Sequence, residues 1–457
     1  MANTTNEPIT LTENDHVSLV SRTVDSGDLV SVSAIRADGS YQDCICPHCR
    51  RDLSMKVSVI KESDSFRPRR TPPSLAKHEF GYVALIYGTS PAYFVGALVT
   101  GWSLSRHSKL PLECRVLLCT HDVPEAFQKL LSAVWTVQKV DYINKASPWF
   151  YWDYHKSRFK KVFTKLRILT DLHGLFKKVV MLDVDLLIRN DDIESLFELT
   201  APAAMVRGQG NFKHGETVPL DAFFVGQRQV IGINCGVMLV EPSESVFDRM
   251  LEEVESLYHP EHWPSHGPEQ DYLSRYYNTF SQWTNMSCRF NYQVHMNQYG
   301  SLEWHHYNIK GHPEVSVFHF SGQLVKPWSL LLDLRIAHDM SFTQIEEFII
   351  TISVKAEEEL LRKAEELKRR DEDCEKQKHS NKGIESHFCF GNALNSSPTR
   401  KCYLHRYIHP SWTRADSESA IEWIRTIAEA DHALNGRVIS LLKSLWEKER
   451  ISRTDLS

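Results

Sequence analysis

Two aspartates, Asp183 and Asp185, interrupt the run KKVVMLDVDLLIRN (177–190), whose middle is otherwise valine, leucine, methionine and isoleucine. In a strand, side chains two residues apart point to the same side, so this pair presents two carboxylates to one place. Two carboxylates beside a buried sheet repel each other and lose hydration unless a cation sits between them. A divalent ion relieves both costs, and hard oxygen ligands favour Mg2+ or Mn2+, which also bind phosphates. The same residues also admit a structural reading: capping of NDDIESLF, or pairing with Lys177, Lys178 or Arg189. A second cluster, CICPHCRRDL, sets Cys44, Cys46 and Cys49 close to His48. Zinc would need a second ligand pair at a defensible spacing, and none follows nearby, so a small loop or hairpin is the simpler expectation.

The elements around the aspartates decide what they face. YVALIYGT, ECRVLLCT, TVQKVDYI and FKKVVMLDVDLLI read as strands. PAYFVGALVTGWSLSRHS, PEAFQKLLSAVW and RFKKVFTKLRILTDLHG, the last closed by Gly174, carry helical spacing. Strands alternating with helices over this length predict a mainly parallel α/β sheet covered on both faces. In such sheets ligands bind beyond the carboxyl ends of the strands, which is where Asp183 and Asp185 fall. Further on, DDIESLFEL reads as a short helix, APAAMVRG as a strand and 208–229 as an irregular insertion. GINCGVMLVEPS is a strand, ESVFDRMLEEVESL and PEQDYLSRYYNTF are helices, and VSVFHFSG is a late strand.

Composition shifts divide the chain into a polar N-terminal extension and linker (1–77), a catalytic unit (78–335) and a helical C-terminal region (336–457). That last region reads as a helical packing arm in preference to a partner-binding appendage. A net charge of −5 gives no polyanion-seeking bias, so nucleic acid is not an expected partner. The N-terminus lacks a basic and then apolar leader, and no uncharged apolar run reaches the ~18–20 residues of a membrane span. The expectation is a cytoplasmic protein whose ten scattered cysteines are reduced.

Five segments together carry a resemblance: VALIYGTSPAYFVGALVTGWSLSRH, FTKLRILTDLHGLFKKVVMLDVDLLIRNDDIESLFEL, GINCGVMLVEPS, PEQDYLS and VFHFSGQLVKPW. In order and spacing, over about residues 80–330, they resemble the glycogenin-like, family 8 retaining glycosyltransferases. The resemblance implies a GT-A fold, a UDP-sugar donor, Mn2+ or Mg2+, and transfer of a hexose to a glycan, protein or small-molecule hydroxyl. It implies that Asp183, Asp185 and His319 ligate the metal, with Asp183 shared with the ribose. Tyr87, Gly88 and Thr89 would contact uracil and ribose. Lys165 would reach toward the donor and Lys326 would hold its pyrophosphate, with Gly322 letting the backbone approach and Trp328 bracing the loop. Asn234 and Gly236 would lie beside the transferred sugar, and Glu269, Gln270 and Asp271 on its β side would carry the catalytic roles. Cys235 stands where the family usually has Ala or Ser, and Glu269 where many members have Asp. The rival readings are a haloacid-dehalogenase-type phosphatase, a non-catalytic UDP-sugar-binding scaffold, and a glycogenin-type self-glucosylating primer with Tyr299 or Tyr307 as acceptor. A separate carbohydrate or protein acceptor is the preferred expectation, and a homodimer is left open.

Overall fold

A computed structural model of the chain describes residues 76–147, 157–207, 212–225, 228–229, 232–256, 268–294, 313–321, 326–351, parts of 353–369 and 414–454, together with short strands between Thr23 and Leu53. Among those short strands Tyr41–Ile45 pairs antiparallel with Asp52–Leu53, the hairpin form of the expectation there. Cys46, His48 and Cys49 lie outside the described residues.

The main sheet begins with β1 (His78–Ile86), followed by helix α1 (Pro91–His107), β2 (Arg115–Thr120), α2 (Glu125–Leu131), β3 (Thr136–Val140), α3 (Arg167–Asp171) and β4 (Phe176–Leu182). Then come β5 (Leu186–Ile188), β6 (Ala203–Arg207), β7 (Gly232–Val240), α4 (Glu244–Glu255), α5 (Pro268–Phe280), β8 (Thr284–Asn285), β9 (Tyr292–Gln293), β10 (Val317–His319) and α6 (Pro327–Leu330). Two long helices close the described chain, α7 (Arg414–Ala433) and α8 (Arg437–Thr454). The seven-stranded sheet has the order β8-β6-β7-β4-β1-β2-β3. β4, β1, β2 and β3 pair in parallel, as do β8 and β6, while β7 runs against both of its neighbours. The mainly parallel sheet expected from the strand and helix alternation therefore forms, with β7 reversed.

Alternate residues of each strand feed two separate cores. Tyr82, Ala84, Val180, Leu182, Val237 and Leu239 face α1, whereas Val83, Val179, Met181 and Met238 face α4 and α5. Burial on both faces is why these strands read as continuous apolar runs in place of alternating ones. The amphipathic segment expected as one helix before Gly174 divides into a 3-10 stretch, Ser157–Leu166, and α3. Gly174 sits at φ +75°, in the left-handed region that ends a helix at low cost to glycine.

Helix α1 does more than cover the sheet. Its Thr100 hydroxyl donates to the Leu186 carbonyl (3.0 Å), and the Ile188 N–H donates to Ser103 Oγ (3.2 Å). These two side chains satisfy the outer edge of β5, which belongs to a second, smaller sheet ordered β5-β10-β9. Backbone polar groups buried without such partners would destabilise that edge.

The C-terminal helices pack on the α1 face, as the arm expected from sequence. Ala420, Trp423, Ile424, Ile427, Val438 and Leu442 join the same core as Phe94, Leu98 and Trp328. Trp423 is fully buried, and its ring lies 6.3 Å from that of Trp328. Around this apolar contact run the pairs Arg189–Glu422 (3.0 Å), Arg425–Glu346 (2.7 Å), Lys443–Asp339 (2.6 Å) and Arg106–Glu429. Half-exposed pairs of this kind are each worth about 0–1 kcal/mol, so ring burial dominates the docking. Among the described residues no helix is long and apolar enough to cross a membrane. Replacing Trp423 by Ala is expected to destabilise the protein by about 3–5 kcal/mol, and by Phe less than half as much. Denaturant midpoints of the two variants check this; equal, small losses would mean that α7 is only loosely docked.

Candidate functional site

The expected continuous strand through the two aspartates does not form. β4 ends at Leu182 in the main sheet and β5 starts at Leu186 in the smaller one, so Asp183, Val184 and Asp185 are the crossing from one sheet to the other. Backbone bonds fix both aspartates: the Asp183 N–H donates to the Gly236 carbonyl (2.8 Å), and the Phe320 N–H donates to the Asp185 carbonyl (2.9 Å). The β5 and β10 register, with Leu186 opposite His319, then sets the imidazole beside Asp185. One ligand atom from each of Asp183, Asp185 and His319 lies within 4.8 Å of the others. Two glycines permit this closeness. A Cβ at Gly96 of α1 would lie 2.3 Å from the Val184 carbonyl oxygen, and one at Gly236 would lie 2.3 Å from His319 Cε1.

Each aspartate has its own lysine. Lys165 donates to Asp183 Oδ1 (2.9 Å) and stands 3.7 Å from Glu269. Lys326 reaches Asp185 Oδ2 (2.5 Å) and also donates to the Phe320 carbonyl. His319 Nε2 is 3.2 Å from Asp185 Oδ1. The partners weighed for a structural reading are engaged elsewhere: Lys178 with the Phe197 and Leu199 carbonyls, Arg189 with Glu422, and Lys177 3.8 Å from Glu79. Burial works against ionised Asp185, yet Lys326 and His319 outweigh it and hold its carboxyl well below the usual range. Burial likewise works against charged Lys165, but Asp183 and Glu269 push its ammonium above the ordinary lysine value. Glu269 goes the other way: burial raises it, and Lys165 offsets only part of the rise.

The far side of His319 meets a fully buried amide. Its Nδ1 lies 2.7 Å from Asn291 Oδ1, and Asn291 Nδ2 donates to Asn234 Oδ1 (2.9 Å), which also accepts from the Gly236 N–H (2.9 Å). Because β7 is reversed, Asn234 and Gly236 at its start meet the carboxyl ends of β4 and β6. Farther along that same edge, Tyr87 lies between Tyr93 (6.3 Å) and Tyr142 (6.1 Å). Gly88, at φ +80°, donates its N–H to Asp122 Oδ1 (3.2 Å), and Thr89 is exposed. Asp122 accepts further bonds from Thr120 (2.5 Å) and Tyr142 (2.8 Å). Burial, the largest single effect, raises its carboxyl, but these bonds together outweigh it and hold the carboxyl down at about 2. Lys161 lies 3.9 Å over the Tyr142 ring.

On the first turn of α5, Glu269 and Gln270 are half-buried, and Asp271 pairs with Arg207 at the end of β6. Glu269 Oε2 is buried with no hydrogen-bond partner. Lys326 stands 5.0 Å from the Trp328 ring, and Trp328 is buried. Gly322, Tyr299 and Tyr307 lie outside the described residues. Sequence reasoning did not single out Arg207, Asp122, Tyr142, Asn291 or Trp423. Tyr142 and Arg207 stand just beyond or at the ends of strands that were read, a signal that could have found them; Asn291 follows no periodic pattern.

Residues 84–331 match the family model described as Glycosyl transferase family 8. An uncharacterized protein of Acanthamoeba polyphaga mimivirus is 32% identical over 257 residues, covering 55% of this chain and 83% of that protein. Inositol phosphorylceramide glucuronosyltransferase 1 of Arabidopsis thaliana is 32% identical over 202 residues, covering 44% of this chain and only 30% of that protein. Among solved structures, the galactosyltransferase LgtC in complex with donor and acceptor sugar analogs shares 16% identity over 54% of this chain and 89% of its own, with a TM-score of 0.33.

Glu269 gives this site a pH signature. Its folded value is raised above the unfolded one, so its contribution to stability is complete below about pH 4.3 and is lost as pH rises through the raised value. Glu269→Gln, which never ionises, is expected to stabilise the metal-free protein by about 0.5–2 kcal/mol at pH 7. The gain should vanish below about pH 4. Thermal midpoints from pH 4 to 8 measure it, and an unchanged gain across that range would contradict the assignment.

Proposed function

The chain belongs to glycosyl transferase family 8 and is a glycosyltransferase, and on that premise we propose that it moves a hexose from a UDP-sugar to an acceptor hydroxyl in the cytoplasm, with retention at the anomeric carbon. The observation that supports this reading best is the convergence of Asp183, Asp185 and His319, with a lysine on each aspartate. Two carboxylates and an imidazole fit a divalent ion with borderline tolerance for nitrogen, so Mn2+ suits the set better than Mg2+. Held by these three residues, the ion would supply charge neutralisation at the diphosphate of the leaving UDP.

The remaining roles fall to the protein's own groups. Lys326, anchored between Asp185 and the Phe320 carbonyl, is the ammonium placed to meet charge developing on UDP, an electrostatic stabilisation of the transition state. Lys165 bridges Asp183 and Glu269 and offsets part of the cost of setting the two side by side. Tyr87, Gly88 and Thr89, with Tyr142 and Asp122 behind them, would receive uracil and ribose. Asn234, Gly236 and Gln270 would line the sugar. Arg207 already pairs with Asp271, so the unpartnered Oε2 of Glu269 is the carboxylate oxygen that would answer oxocarbenium character at the anomeric carbon. Catalysis then rests on positioning and electrostatics without a committed nucleophile.

Glu269 also bears on the donor. A buried carboxylate oxygen without a partner accepts a hydroxyl and repels another carboxylate, so the reading is a neutral hexose, unlike the glucuronosyl group in the Arabidopsis relative's name. Incubating the protein with Mn2+ and a panel of UDP-hexoses, then weighing products and intact protein, tests donor choice and self-modification together. Metal-dependent release of UDP from a neutral hexose donor is expected, with UDP-glucuronate at least about 10-fold slower. Asp185→Asn is expected to lose about 100-fold or more of the activity while staying folded. Binding without turnover, or full activity of Asp185→Asn at saturating Mn2+, would overturn the proposal.

A further inference from the structure

The hydrogen-bond chain behind His319 has a defined direction, and the backbone sets it. The Gly236 N–H can only donate, so the Asn234 atom 2.9 Å away must be its oxygen, Oδ1. That same oxygen lies 2.9 Å from Asn291, so Asn291 must turn its NH2 group toward it, and its own Oδ1 is left facing His319 Nδ1 at 2.7 Å. An amide oxygen can only accept, so Nδ1 must carry the proton. Reversing either amide sets oxygen against oxygen or N–H against N–H somewhere along the chain. Asn291 is 0% exposed, His319 3% and Asn234 6%, so bulk water is not at hand to repair such a mismatch.

We infer that Asn291 is a positioning residue which, relaying the orientation of the Gly236 N–H through Asn234, fixes neutral His319 in its Nδ1–H tautomer and turns the Nε2 lone pair toward Asp185. Nε2 lies 3.2 Å from Asp185 Oδ1, a gap that a second proton on the ring bridges in the metal-free protein and that a cation held by both atoms would bridge in its place, because the relay keeps the first proton on Nδ1. The ring has little room to choose otherwise: β5 and β9 pair with β10 on either side, and the ring lies against the Cα of Gly236. A metal-ligating imidazole whose other nitrogen donates to a fixed acceptor is held in tautomer and orientation at once. The proton on Nδ1 follows from the hydrogen bonds alone, and with it the tautomer of the neutral ring; the consequence for metal affinity rests on the metal-binding reading proposed above.

Histidine-labelled, metal-free full-length protein, examined by long-range 1H–15N correlation at a pH where the rings are neutral, tests the relay directly. His319, identified by the signal lost in His319→Gln, is expected as the Nδ1–H form; finding it as Nε2–H overturns the inference. Mn2+ titration followed by electron paramagnetic resonance gives the second readout. Asn291→Leu, which keeps the volume and removes the acceptor, should mix the tautomers and weaken Mn2+ binding about 10–100-fold. If Asn291→Leu binds Mn2+ as tightly as the unaltered protein, the relay is wrong. Should Asn291→Leu fail to fold, the spectrum of the unaltered protein still decides the matter. Absence of Mn2+ binding by the unaltered protein would instead sink the metal reading and leave the tautomer to that spectrum.

Discussion

Two carboxylates at the crossing between two sheets impose the constraint that the surrounding structure answers. Like charge in so small a space is costly, and positive charge close to each carboxylate relieves that cost. Lys165 comes from the segment ahead of α3 and Lys326 from the residue before α6, one to each aspartate. The reversed strand β7, the smaller sheet and helix α1 are all arranged so that these groups meet. Gly96 and Gly236 mark the places where even one methyl group would force them apart.

Much of this was legible in the sequence because it rests on short-range pattern. The alternation of strands and helices, the extent of α1 and α5, and the Asp183–Asp185 pair follow from apolar spacing and short motifs, whereas His319 and Lys326 came in only through the resemblance of five segments to a family. What was not legible depends on long-range pairing. VVMLDVDLLI reads as one strand because nothing local distinguishes a strand from two strands joined at an angle; the break at Asp183 exists because Leu186–Ile188 pairs with a segment some 130 residues later. Asn291 is invisible for a like reason. Its partners stand at 234 and 319, and an asparagine between Phe290 and Tyr292 has no local signature. Trp423 could be read as apolar helix, but not as the neighbour of Trp328.

The site also shows how a fold can keep a costly group. Glu269 would be less costly protonated or replaced, and Lys165 compensates it only in part. Function is the usual reason for tolerating such a residue, since binding and catalysis draw on groups that the folded state holds at some disadvantage. Asp271, two residues on in sequence, is instead paired with Arg207. Two carboxylates two residues apart thus acquire different characters from what they touch, a distinction that residue type alone does not carry.

The docking of α7 on Trp328 sets a timetable for biosynthesis. The motif that ends in Trp328 is made about 95 residues before Trp423. At translation rates of about 5–20 residues per second, that interval is roughly 5–20 s. During it the α1 face, including Phe94, Leu98 and Trp328, has no C-terminal helix to cover it. A nascent chain at that stage already carries its aspartates and His319 but leaves this apolar face uncovered, so the arrival of α7 also determines when that face closes.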